Sequence, residues 1–266
     1  MKAQGATEYL VIVGVVLAIA LVCVALLVWP VETTKDAKKQ QTDVHFKIAA
    51  MEYPDLLQGL VAYWKFDDGS GISATDSRGT ATGTLTNGPA WTTNAKSGKA
   101  VVFDGTNDYV TYGSPAALNL PTTRTVVAWV KTENSQRNTI VNKGTQYWVI
   151  IEAGNQVYYY YWGAVSGAWR IYNTPAAITP GVWTHIAVVE DTSWSMPKIY
   201  VNGTEMALTG NPTREANSGS STTLYAGGYQ GANYNFNGTI DELMIFNRAL
   251  SAGEVRLLYE NPGYPQ

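Results

Sequence analysis

Hydrophobic residues follow two different patterns along this chain. Residues 9–29 form an apolar run without a charged side chain, whereas from residue 59 onward short apolar runs alternate with turn-forming residues. The 21 residues of the first run would make a helix roughly 30 Å long, which matches the hydrocarbon core of a membrane. The first pattern therefore predicts a membrane-spanning helix over residues 4–29. The second predicts an all-β domain over residues 59–262.

Ten short apolar segments predict the strands of this β domain. The pair Asn202-Gly203 between two of them is typical of a tight hairpin with a primed turn. Ser251 followed by Glu254 predicts the N-cap of a short closing helix over residues 254–259. The ten segments are residues 60–66, 99–105, 108–113, 124–131, 146–154, 156–163, 184–191, 198–203, 223–228 and 238–250.

A polar connector, residues 30–58, separates the two parts. Val44, Ile48 and Met51 fall on one face at helical spacing and Pro54 ends the pattern, so the connector is expected to be partly helical. Two interpretations stay open: a solvated spacer helix, or a stalk that packs on neighbouring subunits. Residues 263–266 are expected to form a C-terminal tail.

The composition argues against several classes of site. The net charge is -3, which does not favour the basic surface of a nucleic-acid-binding protein. Cys23 is the only cysteine and lies in the apolar run, so no disulfide can form within the chain. The two histidines, His45 and His185, are too far apart in sequence to suggest a zinc motif.

The residues before the apolar run resemble the class III signal peptides of archaeal type IV pilins. Ala3, Gln4 and Glu8 match that pattern in identity and spacing, although Lys2 is the only charge of the leader. The resemblance implies that a prepilin peptidase removes residues 1–3 by cutting between Ala3 and Gln4. It also implies that the helix waits in the membrane and then packs against other copies or other pilins, with Glu8 meeting a neighbouring N-terminal ammonium group. An uncut, single-pass membrane anchor is the alternative.

Six segments of the β domain, taken together and in order, resemble another family. They resemble LamG-like, concanavalin A-like jelly rolls of the broad lectin and glucanase superfamily, which implies two stacked antiparallel sheets. The segments are residues 59–71, 103–110, 125–131, 181–189, 199–203 and 236–255.

Several aspartates at predicted strand ends are candidate ligands for calcium, which prefers oxygen donors. The resemblance implies a structural calcium ion that joins the first strand to the last, with Asp67 and Asp241 matched by position and Asp104 as a third candidate. Asp104 and Asp108 are alternatively explained by turns that their side chains stabilise. Without an ion, neighbouring carboxylates are expected to become protonated or to separate.

Aromatic residues are candidates for glycan binding, since lectin surfaces stack sugar rings on exposed aromatic side chains. The run 158–162 places aromatic side chains alternately on the two faces of one strand, and one face must belong to the core. The face with Tyr159 and Tyr161, or Trp162, is the predicted platform. Packing and protection of the sheet edge are the alternative explanation. Further candidates in predicted loops are Trp169, Tyr229 and Tyr234.

No catalytic pattern is found, so we expect a protein that is not an enzyme. The E-x-D-x-x-E motif of glucanases is absent, and the carboxylate pairs 190–191 and 241–242 are adjacent, which should direct their side chains to opposite faces of a strand. Asn202 and Asn237 each begin an N-G-T sequon, which fits either glycosylation of a surface protein or turn chemistry.

Together these features predict a cell-surface, pilin-like filament subunit that displays a LamG-like module for adhesion to glycans or surface proteins. A membrane-anchored, lectin-like protein and a purely structural filament subunit are the alternatives.

Overall fold

A computed structural model gives the fold of the β domain. It describes residues 51, 53, 55–211, 214–219, 222–229 and 234–264, all within a compact unit that spans Ala49–Gln266. The predicted leader at 1–3, the apolar helix at 4–29 and most of the connector lie outside the described residues, and so do Ala3, Gln4 and Glu8. Within the described part of the chain, no helix is long and apolar enough to cross a membrane.

The described residues form seventeen strands, one α-helix and one short 3-10 turn at Ala116–Leu118. Each of the ten predicted segments contains a strand, so the prediction of an all-β domain is confirmed. The strands are β1 (Leu60–Trp64), β2 (Ser73–Ala74), β3 (Gly83–Thr86), β4 (Ala90–Thr92), β5 (Ala100–Asp104), β6 (Tyr109–Thr111), β7 (Arg124–Thr132), β8 (Asn138–Asn142), β9 (Trp148–Glu152), β10 (Gln156–Trp162), β11 (Trp169–Ala177), β12 (Thr184–Glu190), β13 (Lys198–Val201), β14 (Thr204–Glu205), β15 (Thr209–Gly210), β16 (Tyr225–Ala226) and β17 (Asn237–Phe246).

The strands pair into two antiparallel sheets. The eight-stranded sheet has the order β14-β13-β12-β7-β17-β5-β4, and β1 also pairs with β17. The nine-stranded sheet has the order β15-β11-β10-β9-β8-β16-β6-β3-β2. Neighbours in space are often distant in sequence, which is characteristic of a jelly roll.

One apolar core fills the space between the sheets. Val130 and Ile186 of the eight-stranded sheet, and Val149 and Tyr161 of the nine-stranded sheet, are buried in the same cluster. Because side chains alternate along a strand, each strand that contributes to this core also directs its other residues to the outer face of its sheet.

The closing helix α1 (Ala252–Glu260) covers part of the outer face of the eight-stranded sheet. Ser251 accepts a hydrogen bond from the backbone N–H of Glu254, whose side chain accepts one from the backbone N–H of Ser251, so the predicted cap is confirmed. Tyr259 of α1 stacks on Trp129 of β7, with ring centroids 5.6 Å apart.

The chain segment before β1 is held by Arg248. Its guanidinium donates to the backbone carbonyls of Gln58 at 2.7 Å, Asp55 at 3.1 Å and Leu56 at 3.2 Å. Glu254 of α1 forms an ion pair with the same guanidinium. Leu56 is buried, so the folded domain begins before the predicted boundary at residue 59. Likewise, Tyr264 is buried rather than part of a free tail.

The predicted hairpin at Asn202-Gly203 is confirmed. Both residues have positive φ, 51° and 75°, as a primed type I turn requires. The side-chain oxygen of Asn202 also accepts a hydrogen bond from the backbone N–H of His185 at 2.9 Å.

Candidate functional site

Strand β10 divides its aromatic residues between the core and the outer face. Tyr159 and Tyr161 are fully buried between the sheets, so the prediction that they form an exposed platform is wrong. Tyr159 is turned inward because its hydroxyl contacts Glu190 and Arg124 of the opposite sheet. The outer face of β10 instead presents Tyr158, Tyr160 and Trp162, each partly exposed.

The outward side chains of β9, β10 and β11 form a continuous aromatic layer, which we call the aromatic platform. Tyr158 stacks on Tyr160 with centroids 5.7 Å apart, and Tyr160 contacts Trp148 at 5.6 Å. Trp162 and Trp169 meet edge to face at 5.5 Å. Trp169 is 38% exposed. The platform consists of Trp148, Tyr158, Tyr160, Trp162 and Trp169.

Strand register explains why these rings meet. Tyr160 lies directly opposite Trp148 of β9, and Trp162 lies opposite Trp169 of β11. Directly opposed residues of antiparallel strands project to the same face with their Cβ atoms close together. Ile150 belongs to this outer face, opposite Tyr158, yet it is fully buried. The aromatic layer is therefore thick enough to cover an aliphatic side chain from solvent.

Polar groups border the platform. The indole N–H of Trp148 donates to Thr139 at 3.2 Å, and the hydroxyl of Tyr160 donates to Glu152 at 2.9 Å. Glu152 also forms an ion pair with Arg137. These contacts fix the edges of the rings and leave parts of their faces open.

Tyr234 extends the platform, whereas Tyr229 belongs to a separate group. The ring centroid of Tyr234 lies 5.4 Å from that of Trp148. The guanidinium of Arg137 lies 5.0 Å from the ring centroid of Tyr234. Tyr229 is 39% exposed and contacts Tyr225 at 5.9 Å, and Tyr225 contacts Tyr109 at 5.6 Å. The predicted candidates Trp162, Trp169 and Tyr234 thus come together.

The loop after β15 holds the β10–β11 hairpin. Both carboxylate oxygens of Glu215 are used: one accepts the backbone N–H groups of Val165 at 2.6 Å and Ser166 at 2.7 Å, and the other pairs with Arg170. Hydrogen bonds from Ser166, Val165 and Arg170 lower the pKa of Glu215 to about 2. This contact fixes the turn that joins Trp162 to Trp169.

Two of the three predicted calcium ligands lie near one another. Asp241 of β17 accepts backbone N–H groups from Lys96 at 2.8 Å and Ser97 at 3.0 Å, and Asp67 accepts that of Lys99 at 2.7 Å. A single segment, residues 96–99, therefore binds both carboxylates.

Asp104 lies apart from them, at the end of β5. It accepts the backbone N–H of Thr106 at 2.7 Å, and Asp108 accepts that of Asp104 at 3.0 Å. This agrees with the turn explanation for both aspartates. Within the part of the chain that the structure describes, no group of three or more His, Cys, Asp or Glu residues is arranged to hold a metal ion. The predicted set Asp67, Asp104 and Asp241 therefore does not form one calcium site.

A β-bulge in β17 changes the expected geometry of the next carboxylate. The register against β7 shifts between Asp241 and Met244, and Glu242 has φ 52°. Ile240 and Leu243 both enter the core, so Asp241 and Glu242 lie together on the outer side instead of on opposite faces. Both are covered, at 0% and 2% exposure.

These carboxylates are poorly solvated. Burial, opposed by three backbone hydrogen bonds and reinforced by Asp67, raises the pKa of Asp241 to about 7. Burial and the neighbouring Asp241 raise the pKa of Glu242 to about 8. The hydroxyl of Tyr63 donates to one oxygen of Glu242, and the other oxygen has no hydrogen-bond partner. Protonation, as expected for close carboxylates without an ion, is one way to relieve this arrangement.

Glu190 and Asp191 diverge as expected. Glu190 lies between the sheets, paired with Arg124 and Arg214, while Asp191 accepts hydrogen bonds from Ser193 in the following turn. Sequence reasoning missed Trp148, Tyr158 and Tyr160 as members of the platform. The alternation of side chains along β10 could have identified two of them, because the face opposite Tyr159 and Tyr161 carries Tyr158 and Tyr160.

Comparisons with known proteins identify the fold. Residues 104–256 match the family model described as the concanavalin A-like lectin/glucanases superfamily. A search of the curated proteins returns no match.

Solved structures give more detailed likenesses. Domain 4 of a GH43 extracellular arabinanase from Geobacillus stearothermophilus, solved in complex with arabinotriose, is 26% identical, with a TM-score of 0.61 over 75% of this chain and 98% of that chain. The binding domain of Paraclostridial Mosquitocidal Protein 1 is 14% identical, with a TM-score of 0.64 over 77% of this chain and 52% of that one. The sialidase of Trypanosoma rangeli in complex with sialic acid is 18% identical, with a TM-score of 0.58 over 76% of this chain and 32% of the enzyme. The chain thus spans about half of the toxin domain and a third of the sialidase, and these two likenesses concern the fold alone.

Proposed function

Because this chain belongs to the concanavalin A-like lectin/glucanases superfamily, we propose that its β domain binds glycans through the aromatic platform. The observation that carries the proposal is the layer of partly exposed rings on the outer face of β9, β10 and β11. Aromatic side chains offer large, rigid faces at little cost in conformational entropy, and their polar edges are already hydrogen-bonded. The C–H faces of a sugar ring can stack on such a surface while its hydroxyl groups contact the polar border.

The arabinanase domain supports this proposal. It is the likeness with 26% identity, this chain covers 98% of it, and its structure contains arabinotriose. Short arabinose oligomers are therefore the first ligands to test. The residues of this chain that we assign to binding are Trp148, Tyr158, Tyr160, Trp162, Trp169 and Tyr234.

We propose that the domain binds without catalysis. Glycoside hydrolysis needs two carboxyl groups that reach the substrate from either side of the scissile bond. Glu190, Asp241 and Glu242 are each buried, and Glu152 and Glu215 are held in ion pairs with arginines. None of these lies exposed on the platform. Incubation of arabinan with the protein, followed by analysis for reducing ends, tests this part.

The N-terminal sequence supports display at the cell surface. Ala3, Gln4 and Glu8, with the apolar run that follows, favour a pilin-like subunit that is cut by a prepilin peptidase and assembles with other copies. A membrane-anchored lectin-like protein without cleavage is the second candidate. N-terminal sequencing of the protein from cells distinguishes them, because a start at Gln4 requires cleavage and a start at Met1 rules it out.

Calcium and glycosylation stay predictions. Asp67 and Asp241 are the two carboxylates that a structural calcium ion would bind, and a melting temperature that chelator leaves unchanged would argue against it. Asn202 is exposed at a hairpin tip, whereas Asn237 is half-buried in β17. We therefore expect Asn202 to be the modified sequon, which mass spectrometry of the native protein can test.

The central test is a glycan-binding measurement on the full-length chain in mild detergent. Wild type is expected to bind arabino-oligosaccharides, and Trp162→Ala and Trp169→Ala should each weaken binding at least tenfold. Trp194 is a matched control, because it is a partly exposed tryptophan in the loop between β12 and β13, on the eight-stranded sheet. Binding that survives in both platform variants would refute the assignment.

A further inference from the structure

One arginine at the border of the aromatic platform is open to solvent. The side chain of Arg137 is 48% exposed, whereas that of its partner Glu152 is 13% exposed. Arg137 immediately precedes β8, and Glu152 is the last residue of β9. At this end of the platform the positive charge therefore faces solvent, while the negative charge that accompanies it is largely covered.

Two contacts hold the guanidinium of Arg137 in place. Its Nε donates to Oε2 of Glu152, and the group lies 5.0 Å from the ring centroid of Tyr234. The other carboxylate oxygen of Glu152 accepts a hydrogen bond from the hydroxyl of Tyr160 at 2.9 Å. Glu152 thus connects the arginine to a ring of the platform. A cation held by an ion pair and an aromatic ring loses little further freedom when it binds a ligand.

The hydrogen bond to Glu152 uses only one of the guanidinium nitrogens. Among the residues that the structure describes, none is hydrogen-bonded to Nη1 or Nη2 of Arg137. These two nitrogens carry most of the N–H donors of an arginine, in a planar fork that matches the two oxygens of a carboxylate. The exposed end of Arg137 can therefore bind an oxyanion with two parallel hydrogen bonds.

Arg170, the other arginine beside the platform, is placed differently. Its side chain is 18% exposed and pairs with Glu215 of the loop after β15. In the register of β10 and β11 it lies opposite Tyr161, which is buried in the core. Arg170 therefore stabilises the hairpin, and of these two arginines Arg137 is the one that a ligand can reach.

Polar side chains surround Arg137 on the neighbouring loops. Ser135 is exposed two residues before it and accepts a hydrogen bond from the amide of Asn155, in the turn between β9 and β10, at 3.1 Å. The Oδ1 atom of Asn155 is buried without a hydrogen-bond partner. Glu133, the acidic residue of the same loop, pairs with Lys131 at 3.7 Å. Hydroxyl and amide groups beside a cation suit a ligand that is polar and negatively charged.

We propose that Arg137 binds an anionic group, a carboxylate or a sulfate, of an acidic glycan whose sugar rings lie on the aromatic platform. The inference rests on the proposed function and specifies the class of ligand. Gln156 of β10 lies opposite Glu152, and Trp162 is at the other end of the same strand. That length of strand is about 20 Å at the usual rise per residue, so a short oligosaccharide can reach from the tryptophan pair to Arg137.

The experiment compares acidic oligosaccharides with their carboxyl-reduced forms, which differ only in the charged group. Oligogalacturonides and glucuronoxylo-oligosaccharides are titrated into the full-length chain in mild detergent. Wild type should bind the acidic member of at least one pair about tenfold or more tightly than the reduced member. This advantage should shrink as the salt concentration rises. Sulfated galacto-oligosaccharides and their desulfated forms are the second arm, and a preference confined to that arm identifies the anionic group as a sulfate.

Variants assign the preference to one side chain. Arg137→Gln should bring the affinities for the acidic and reduced forms together, and Arg137→Lys, which keeps the charge and loses the planar fork, should retain part of the difference. Arg78 is the matched control, because it is an exposed arginine between β2 and β3, at the far edge of the same sheet. Arg78→Gln should leave the preference as in wild type.

The outcomes separate this inference from the proposed function. Equal affinity of wild type for the charged and uncharged members of every pair, or a preference that persists in Arg137→Gln, would overturn the inference and leave the proposed function standing. Absence of binding to every glycan, acidic or neutral, would refute the proposed function itself.

Discussion

Arg214 reaches from the loop between β15 and β16 into the sandwich and donates to Oε1 of Glu190 at 2.6 Å. The other carboxylate oxygen of Glu190 is held by Arg124 and Tyr159. Glu190 is fully buried, so its charge depends entirely on these partners. The next residue in the loop, Glu215, fixes the hairpin that carries Trp162 and Trp169. The buried ion pair therefore anchors the loop that positions part of the platform.

Replacing Arg214 should destabilise the protein. Arg214→Met would remove one of two cationic partners of a buried carboxylate, and we expect a loss of roughly 2–4 kcal/mol in the free energy of unfolding. Denaturant unfolding measures this loss. Affinity for glycan should fall as well, because the loop around Glu215 loses its anchor.

Arg256 provides a matched control. It pairs with Glu260 on the exposed surface of α1, where ion pairs contribute about 0–1 kcal/mol. Arg256→Met should therefore leave stability and binding nearly unchanged. Equal losses in the two variants would show that the buried pair has no special role.

The buried His185 should make the protein sensitive to acid. Burial, with a smaller contribution from Lys96, lowers the pKa of His185 to about 3. Its ring lies among Trp129, Tyr259 and Lys96, and neither ring nitrogen has a hydrogen-bond partner. In the unfolded chain the imidazole of His185 takes up a proton near pH 6.5, whereas in the folded protein it stays neutral at that pH. The contribution of His185 to stability is thus complete above about pH 6.5 and falls by roughly 1.4 kcal/mol per pH unit toward pH 3. The raised pKa values of Asp241 and Glu242 act in the opposite direction, so the effect of His185 is measured as the difference between wild type and a variant without the histidine.

His185→Phe should remove that dependence. The substitution keeps an aromatic ring between Trp129 and Tyr259 and eliminates two unsatisfied nitrogen atoms. We expect equal or higher stability at neutral pH and an advantage of the variant over wild type that grows as the pH falls below about 6.5, measured by denaturant unfolding across the range. An unchanged slope would assign the acid sensitivity to other groups.

Asp241 should stabilise the fold whether or not an ion is bound. Its carboxylate accepts backbone N–H groups from Lys96, Ser97 and Glu242. Asp241→Asn replaces one acceptor oxygen with a donor that faces these N–H groups, at a cost of roughly 2–4 kcal/mol. Asp104→Asn, at the exposed end of β5, should cost less than about 1 kcal/mol. Repeating both measurements with calcium and with chelator shows whether an ion adds to the effect.

Gly238 should tolerate no side chain. Its φ is 144°, and a Cβ atom there would lie 2.1 Å from the carbonyl oxygen of Lys131 in β7. Gly238→Ala must push apart two central strands, so we expect a loss of about 3 kcal/mol or more. Gly71→Ala is the control, because Gly71 has φ 74° but nothing within 4 Å of the added atom. It should cost only the backbone strain, roughly 1 kcal/mol. Thermal unfolding of both variants gives the comparison.

Much of the fold could be predicted because most of its strands are short apolar segments in which the side chains alternate between the two faces. Seven strands lie outside the predicted segments, namely β2, β3, β4, β8, β11, β14 and β15, and two of them show why. Strand β8 (Asn138–Asn142) is short and bounded by amides, and β11 (Trp169–Ala177) contains Pro175 and few aliphatic residues. Both lie in the nine-stranded sheet, beside the platform. Hydrophobic pattern is least informative where an outer sheet face carries aromatic and neutral polar residues.

The site was harder to predict because periodicity gives the alternation of faces but not which face is inside. In β10 the choice is decided by the buried pair of Arg124 and Glu190, which the hydroxyl of Tyr159 joins from the opposite sheet. The contacts of Tyr159 with Glu190 and Arg124 join residues that lie 31 and 35 positions apart in the sequence. The bulge at Asp241 and Glu242 could not be predicted either, because strict alternation places adjacent side chains on opposite faces of a strand.

The hold of Arg248 on residues 55–58 has a mechanical consequence. Any protein that adheres through its sandwich while its N-terminal segment is attached elsewhere transmits tension through the junction before β1. That tension first loads the hydrogen bonds from Arg248 to the carbonyls of Asp55, Leu56 and Gln58. Arg248 is itself braced by Glu254 at the start of α1. The guanidinium thus links the segment before β1 to the closing helix, so a pulling force on residues 55–58 acts on α1 as well as on the pairing of β1 with β17.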